Sequence, residues 1–465
     1  MEPPPPDRKH PEAAIRRITP WRALPPLTAV LLGLWGLPRG PGGGSMWRDE
    51  STTWQVAHRP LRGLWELLGQ VDAVHGLYYL LMHGVFALWD GGPWALRLPS
   101  VAGTALAAAG VAAVAHRLAG ERAALLAGTA YAVLPPVQAY AQEGRSYALV
   151  AAAVAWATYL MLRERWAAYA VVLLLGCWLH EFAVLALPAH AFAAGRAPGW
   201  RRAAGAVLAG LLPLALVSAR QAPAQLGWLG RPSWQDWTAY AVLVAAVALL
   251  ARGAGDRDLV RVAVPLALLP PGLLMAVSLA HPWYVDRYVL YALAGLAVLA
   301  GARGSGTRTR WVPWLLAGVL LVPLAGWSVW LRTPQARKDD ALAVAAAVRE
   351  RARPGDAVLF MPSRRREWLL SSPGAYGSLR DVALSRTPAQ SRTLHGTELP
   401  ADAVRAAVLA SPRVIALLDP PDQPLDHDPA EAAKREALAR SFDRCSVTPV
   451  RGARVAVYAW RGTCG

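Results

Sequence analysis

The chain has 465 residues, 55% hydrophobic and only 17% charged, with a mean hydropathy of +0.27. That is too apolar for one soluble globule and too long for one bilayer span, so it reads as a polytopic α-helical membrane protein. Lys and Arg number 48 against 31 Asp and Glu, a net charge of +17. The basic residues sit between apolar runs rather than on one hydrophilic domain, so the excess reads as loop charge under the positive-inside rule, and nucleic acid is set aside as a partner. The three cysteines, Cys177 in an apolar run with Cys445 and Cys464 near the C-terminus, exclude a disulfide scaffold and show no zinc spacing.

Residues 1–22 combine Pro3 to Pro6 with Arg8, Lys9, Arg16, Arg17 and Arg22 and are expected to form a disordered cytoplasmic tail. Crossing about 30 Å of hydrocarbon takes roughly 17 to 25 apolar residues. Such runs, several of them short, recur over 23–38, 96–115, 122–141, 147–162, 166–182, 183–195, 203–219, 238–252, 262–280, 288–302 and 312–330. They predict about eleven transmembrane helices in a domain at 23–332. Leu77 to Trp89 is too short to span comfortably and is assigned to the interface, inside a first outer loop at 39–95. That assignment puts the loop arginines 117, 122, 163, 165, 196, 201, 202, 252, 257, 261, 303, 308 and 310 on the side of the tail. The pairs Pro135-Pro136 and Pro270-Pro271 read as kinks within their spans.

From 333 to 465 the composition turns soluble, predicting an outer α/β domain. Asp339 to Arg353 reads as a helix, Pro354-Gly355-Asp356 as a turn and Ala357 to Met361 as a buried strand. The pattern recurs as a helix at Ala401 to Ala410 and a strand at Arg413 to Asp419, followed by a helix at Pro429 to Phe442. Ser446 to Val450 with Arg454 to Trp460 resembles a hairpin that would bring Cys445 near Cys464; a disulfide and two unpaired thiols both stay open.

Ionisable groups beside apolar segments are costly unless they have work or a partner. Under this topology Asp49 and Glu50, His75, Glu143 and Arg145, His180 and Glu181, and Asp286 and Arg287 all fall on the outer face. Taken singly, loop carboxylates are usually solvated surface; their shared side is what marks them. For His180 a satisfied helix-end histidine and a place on the active-site face are equally open, and Arg97 is expected to anchor its helix by snorkelling to the interface. Such a cluster beside lipid suits a lipid-phosphate substrate: Arg holds phosphate, His can donate to it, and one carboxylate takes the proton of an attacking hydroxyl. A phosphate leaving group departs as a stable anion and needs no general acid.

Five stretches carry a resemblance, in chain order: Trp47-Arg48-Asp49-Glu50, His75-Gly76-Leu77-Tyr78-Tyr79, Ala95-Leu96-Arg97-Leu98-Pro99-Ser100, Gln142-Glu143-Gly144-Arg145-Ser146-Tyr147 and Arg287-Tyr288. Together they resemble the membrane glycosyltransferases related to protein O-mannosyltransferases and to the lipid A aminoarabinose transferase. The resemblance spans roughly residues 23 to 330 and implies a GT-C fold with an inverting, polyprenyl-phosphate-sugar-dependent activity in the cell envelope. It implies a catalytic Asp49 with Glu50 beside it. It also implies donor binding by His75, Glu143, Arg145, Arg287 and Tyr288, where His75 opens a His-Gly-Leu stretch in place of the family's His-Pro-Pro-Leu. Expected partners are the lipid-linked sugar, a glycan, lipid or protein acceptor, and membrane lipids; a divalent metal stays open, since carboxylates alone do not make a site. The alternative from another class is a transporter or lipid-linked sugar flippase, which would set its ionisable groups near the midplane on broken helices. A non-catalytic scaffold displaying the outer domain is a third reading.

Overall fold

The computed structural model describes residues 19–35, 37, 46–226, 229–252, 256–305, 325–333, 336 and 339–464. The expected tail up to residue 18, Arg308 and Arg310, and the expected span 312–330 as far as residue 324 lie outside them.

Helix α1 (Pro20–Leu34) starts on a proline, whose missing N–H costs nothing at a helix start. The segment expected to form the first outer loop folds into α2 (Arg48–Ala57), α3 (Leu61–Leu68) and α4 (Gly76–Leu88). Next, α5 (Pro93–Val133) is broken at Gly120 (φ 85°, ψ −176°), a conformation open to glycine, into 93–119 and 121–133. These halves fold back on each other, because a Cβ on Gly128 would stand 2.9 Å from the Ala108 carbonyl oxygen. The expected spans 96–115 and 122–141 thus form a helical hairpin, except that the second is cut at Leu134. Pro135 lacks the N–H that would continue the helix and holds its predecessor extended, so α6 (Pro135–Ala141) starts afresh. Pro270 and Pro271, by contrast, sit inside the unbroken helix Arg257–Val277.

The bundle continues through α7 (Tyr147–Leu162), α8 (Trp166–Leu179), α9 (Ala186–Ala194), α10 (Pro198–Leu226), α11 (Trp234–Ala251), α12 (Arg257–Val277) and α13 (Leu293–Ser305). Tight 3-10 turns at Glu181–Leu185 and Asp286–Ala292 lead into α9 and α13. Among the described residues five helices are long and apolar enough to cross a membrane: Pro93–Val133, Pro198–Pro223, Trp234–Ala251, Arg257–Val277 and Asp286–Ser305. The apolar helices Ala73–Leu88, Tyr147–Leu162, Trp166–Leu179 and Glu181–Ala194 are shorter, so the expected runs that fall on the described residues are a mixture of full-length and short helices. The bundle has two chemically distinct ends. At one, Arg117, Glu164, Asp256, Asp258 and Arg261 line a cavity of about 310 Å³, so these loops do lie together. At the other, α7 begins after Arg145 and α8 stops before His180.

Residues 339–464 build an α/β unit around a five-stranded sheet in the order β2-β1-β5-β7-β6. Here β1 is Ala357–Met361, β2 Arg380–Asp381, β5 Arg413–Leu418, β6 Phe442–Val450 and β7 Ala453–Trp460; β3 (Leu384–Arg386) and β4 (Thr397–Glu398) form a separate ribbon. β2, β1 and β5 run parallel and β7 is antiparallel to both β5 and β6. The expected helices appear at Ala341–Arg351, Ala401–Leu409 and Pro429–Ser441, and the hairpin β6–β7 ends in a Cys445–Cys464 disulfide. One sheet face packs Val358, Phe360, Ile415 and Leu417 into a cluster that also contains Met46, Ala57, Tyr78 and Phe86. The outer loop and the α/β unit therefore share a single apolar core.

Glycines let α13 approach its neighbours: a Cβ at Gly295 would stand 2.3 Å from the Ala263 carbonyl oxygen, and one at Gly301 2.6 Å from that of Ala123. Gly295→Leu is expected to force these backbones apart and destabilise the bundle by roughly 1 to 3 kcal/mol. Thermal unfolding of the detergent-solubilised chain, followed by loss of the monodisperse peak, checks this.

Candidate active site

Helix α2 begins in Trp47-Arg48-Asp49-Glu50. Its exposed N–H groups are met by two carboxylates: Glu50 Oε2 accepts from Trp47 N–H at 3.4 Å, and Asp339 Oδ1 accepts from Arg48 N–H at 2.8 Å. Glu50 is fully buried and binds the equally buried Arg97 bidentately, from Nε and Nη2, at 2.7 Å each. Glu50 Oε1 also accepts the Gly144 N–H at 2.8 Å. A side chain at 144 would collide with Leu96, whose Cγ lies 2.4 Å from the Cβ position. Arg97 is thus not an interface anchor; the carboxylate supplies the partner that makes snorkelling unnecessary. Glu50, expected beside the catalytic Asp49, is directed into the protein, whereas Asp49 lies 25% exposed with Oδ2 at 3.5 Å from Arg287 Nη2.

The outer loop contributes a second carboxylate that the sequence reading did not single out. Asp72, in the left-handed region (φ 62°), accepts from His75 Nδ1–H at 2.7 Å and from the Tyr79 hydroxyl. With that proton placed, His75 Nε2 accepts from Arg145 Nη2 at 2.8 Å; the tautomer is the one this network requires. Arg145 Nη1 also donates to Thr53 Oγ1 at 3.3 Å. His75 is therefore directed at Arg145. Burial alone would raise the Asp72 pKa, but its interaction with His75 and the charge of Arg145 outweigh it and hold it well below the ordinary carboxylate range. Burial and the Arg145 charge push His75 down, favouring the neutral ring.

The loop carrying Glu143 and Arg145 is pinned by Ser100, whose hydroxyl donates to the carbonyl of Glu143 at 2.5 Å and lies 3.0 Å from that of Arg145. Arg287 donates from Nε to the Tyr147 hydroxyl at 3.1 Å and lies 5.5 Å from the ring centres of Trp47 and Tyr288. His180 stands between the rings of His75 and Tyr288, at centroid separations of 5.7 and 4.4 Å, and its Nδ1 has no partner among the described residues.

These groups line a cavity of about 260 Å³ that gathers Asp49, His75, Arg145, His180, Arg287 and Tyr288 with Asp72 and Glu181. Its outer wall comes from Glu367 and His395 of the α/β unit, which sequence reasoning also missed. Glu143 instead lines a smaller cavity of about 150 Å³ with Trp47, Tyr140 and Gln142; Arg287 borders both. Asp286 accepts from the Tyr140 hydroxyl at 3.1 Å. Two guanidinium groups facing a carboxylate can hold a phosphate while that carboxylate takes a proton. Among the described residues no three His, Cys, Asp or Glu side chains gather as a metal-ligand set, and Asp72 and His75 hold each other.

No family model and no curated protein matches the chain. In three dimensions it is similar to ArnT, the lipid A aminoarabinose transferase, from Cupriavidus metallidurans. Against the apo state the TM-score is 0.61 at 14% identity, covering 94% of this chain and 98% of that one. Against ArnT bound to undecaprenyl phosphate it is 0.54 at 15% identity, covering 96% and 99%. The fold is that of the GT-C glycosyltransferases, as the sequence resemblance implied.

Two outcomes test the geometry. Glu50→Gln leaves Arg97 buried without its counter-charge and is expected to cost about 3 to 5 kcal/mol of stability, while Asp49→Asn melts as wild type; heating both in detergent compares them. Asp339 concerns pH: burial pushes its carboxyl up to about 7, the Arg48 N–H opposing and the Asp49 charge adding. In the unfolded chain it ionises near 3.8, so between there and about 7 the folded state holds the extra proton. The stability this contributes is complete below about pH 4 and is lost as pH rises through 7. Asp339→Asn, which cannot ionise, should flatten the fall in melting temperature between about pH 4 and 7.5.

Proposed function

We propose that the chain is a membrane glycosyltransferase that moves a sugar from a polyprenyl-phosphate donor to an acceptor hydroxyl on the outer face of the membrane. The observation that carries this reading is the position of Asp49 in a cavity it shares with Arg145 and Arg287, at the end of the bundle remote from the basic loops. The likeness of fold to ArnT, which has been crystallised bound to undecaprenyl phosphate, supports a donor of that class. In the reaction, Arg145 and Arg287 hold the donor phosphate and Asp49 accepts the proton of the acceptor hydroxyl. The hydroxyl oxygen bonds to the anomeric carbon from the face opposite the phosphate. The bond to the phosphate oxygen breaks with its electron pair, so the configuration inverts and the lipid phosphate leaves as an anion. Its charge is met by the two arginines, and no general acid is needed.

Within this scheme Asp72 and His75 position Arg145, and Glu50 fixes α2 so that Asp49 faces the cavity. Tyr288 and His180 form an aromatic wall suited to a sugar ring. Glu143, in the neighbouring cavity, is the second acidic site that borders Arg287. The positive-inside rule assigns the site and the α/β unit to the extracytoplasmic side.

The experiment uses the full-length chain in lipid nanodiscs. Asp49→Asn keeps shape and hydrogen-bonding reach but cannot take the proton, so sugar transfer should fall about 10²- to 10⁴-fold while undecaprenyl phosphate binding is retained. Arg287→Ala should weaken binding of undecaprenyl phosphate itself. Retained transfer in Asp49→Asn would move the base to Glu143.

A further inference from the structure

The outer wall of the main cavity belongs to the α/β unit, and it is built rather than merely adjacent. The short helix Arg366–Leu370 lies against α2: Ser51 Oγ is 3.0 Å from the Glu367 carbonyl oxygen and 2.7 Å from Ser371 Oγ, and Thr52 Oγ1 donates to Glu367 Oε2 at 3.2 Å. Gln55 donates to the Leu394 carbonyl at 2.8 Å and Arg59 to that of Thr393 at 3.0 Å, so α2 also grips the segment 393–394. From the other side the buried Arg366, held by Asp381 and Glu398, donates from Nη1 to the carbonyl of His395 at 2.8 Å. Gly396 (φ 82°) has the Leu384 Cδ1 2.7 Å from where a Cβ would stand, so only glycine fits there.

The ring of His395 is fixed as firmly as its backbone. Its Nδ1–H donates to Glu367 Oε1 at 3.1 Å. Burial would raise the Glu367 pKa, but that bond and the charge of Arg48 outweigh it, so the carboxylate stays ionised and holds the tautomer. This leaves Nε2 as an acceptor with no protein partner among the described residues, on a side chain that is 35% exposed and lines the cavity. The same cavity is lined by Arg48, Asp49 and Thr52, with Val71 and Leu394 as apolar neighbours.

We propose that His395 binds the acceptor and that the acceptor presents a glycan: Nε2 takes a hydrogen bond from one sugar hydroxyl, and a neighbouring hydroxyl is thereby turned toward Asp49. Glu367 is the positioning residue. This rests on the glycosyltransferase reading and extends it by assigning the acceptor side of the cavity to the α/β unit. A fixed imidazole acceptor beside Arg48, Asp49 and Thr52 supplies the polar partners that sugar hydroxyls need when they leave water.

The test uses the full-length chain in nanodiscs with the polyprenyl-phosphate-sugar pool of its own organism as donor. Two acceptor probes from the same envelope, a solvent-extracted glycolipid fraction and a delipidated polysaccharide fraction, separate the two sources of glycan. In whichever fraction the wild type labels, His395→Phe should raise the half-saturating acceptor amount about three- to tenfold, and His395→Gln, whose side-chain oxygen still accepts, should recover much of it. Undecaprenyl phosphate affinity should stay within about twofold in both variants. Wild-type acceptor dependence in His395→Phe, or an equal loss of lipid affinity, would overturn the assignment. A wild-type chain that neither binds undecaprenyl phosphate nor transfers sugar would overturn the glycosyltransferase reading and this assignment with it.

Discussion

The buried pair of Glu50 and Arg97 joins three parts of the chain at one point: the first turn of α2, the start of α5 and the loop around Gly144. Two charges taken out of water cost several kcal/mol each, and only a bidentate geometry with the remaining lone pairs satisfied repays it. That condition is met because Gly144 offers its N–H where no side chain would fit. The pair then decides what its neighbour does. Successive residues on a helix point about 100° apart, so a Glu50 locked inward turns Asp49 toward the cavity and Arg287. The direction of Asp49 is thus set by a neighbour that faces away from the cavity.

A second constraint is the shortness of the elements around the cavity. α6, α7 and α8 end or begin at Gln142 to Ser146 and at His180, and α13 is preceded by a 3-10 turn carrying Arg287 and Tyr288. Uninterrupted helices would present these residues to lipid or to one another. Ending them at one level of the bundle brings polar side chains from distant sequence positions into one water-accessible space. Non-helical backbone in such a protein is tolerated where protein covers it or a cavity receives it, and Ser100, reaching the carbonyls of Glu143 and Arg145, is an instance of the first.

Much of this was readable without coordinates, for identifiable reasons. Apolar runs and basic loops carry the bundle because they answer to the bilayer rather than to particular partners, and the strands at 357–361 and 413–418 declare themselves by β-branched and apolar runs after turns. Asp49, His75, Arg145 and Arg287 stood out as ionisable groups beside apolar segments. What escaped was pairing at a distance. Glu50 and Arg97 are 47 positions apart, and nothing local says that a carboxylate next to Asp49 is structural. Asp72 had a signal, three residues before His75, but sits in a turn whose left-handed backbone the sequence does not announce. Arg364-Arg365-Arg366-Glu367 looks like solvated charge, yet Arg366 is fully buried over Phe360 with Asp381 and Glu398 for partners, and Glu367 faces the cavity.

Helix α2 is where the membrane bundle and the α/β unit meet. One face holds Arg97, another receives Ser371 and Glu367, and its N-terminus is capped by Asp339 at the start of the outer unit. The apolar core beneath runs without interruption from Tyr78 and Phe86 to Val358 and Ile415. The two parts cannot shift against each other without moving Asp49. Crowding two carboxylates at the head of this helix raises the cost of charging both. Burial and the Asp49 charge push half-buried Asp339 up to about 7, and Asp49 lines the cavity with Arg287 beside it. With its pKa pushed up to about 7, Asp339 caps α2 while carrying less than a full negative charge at neutral pH.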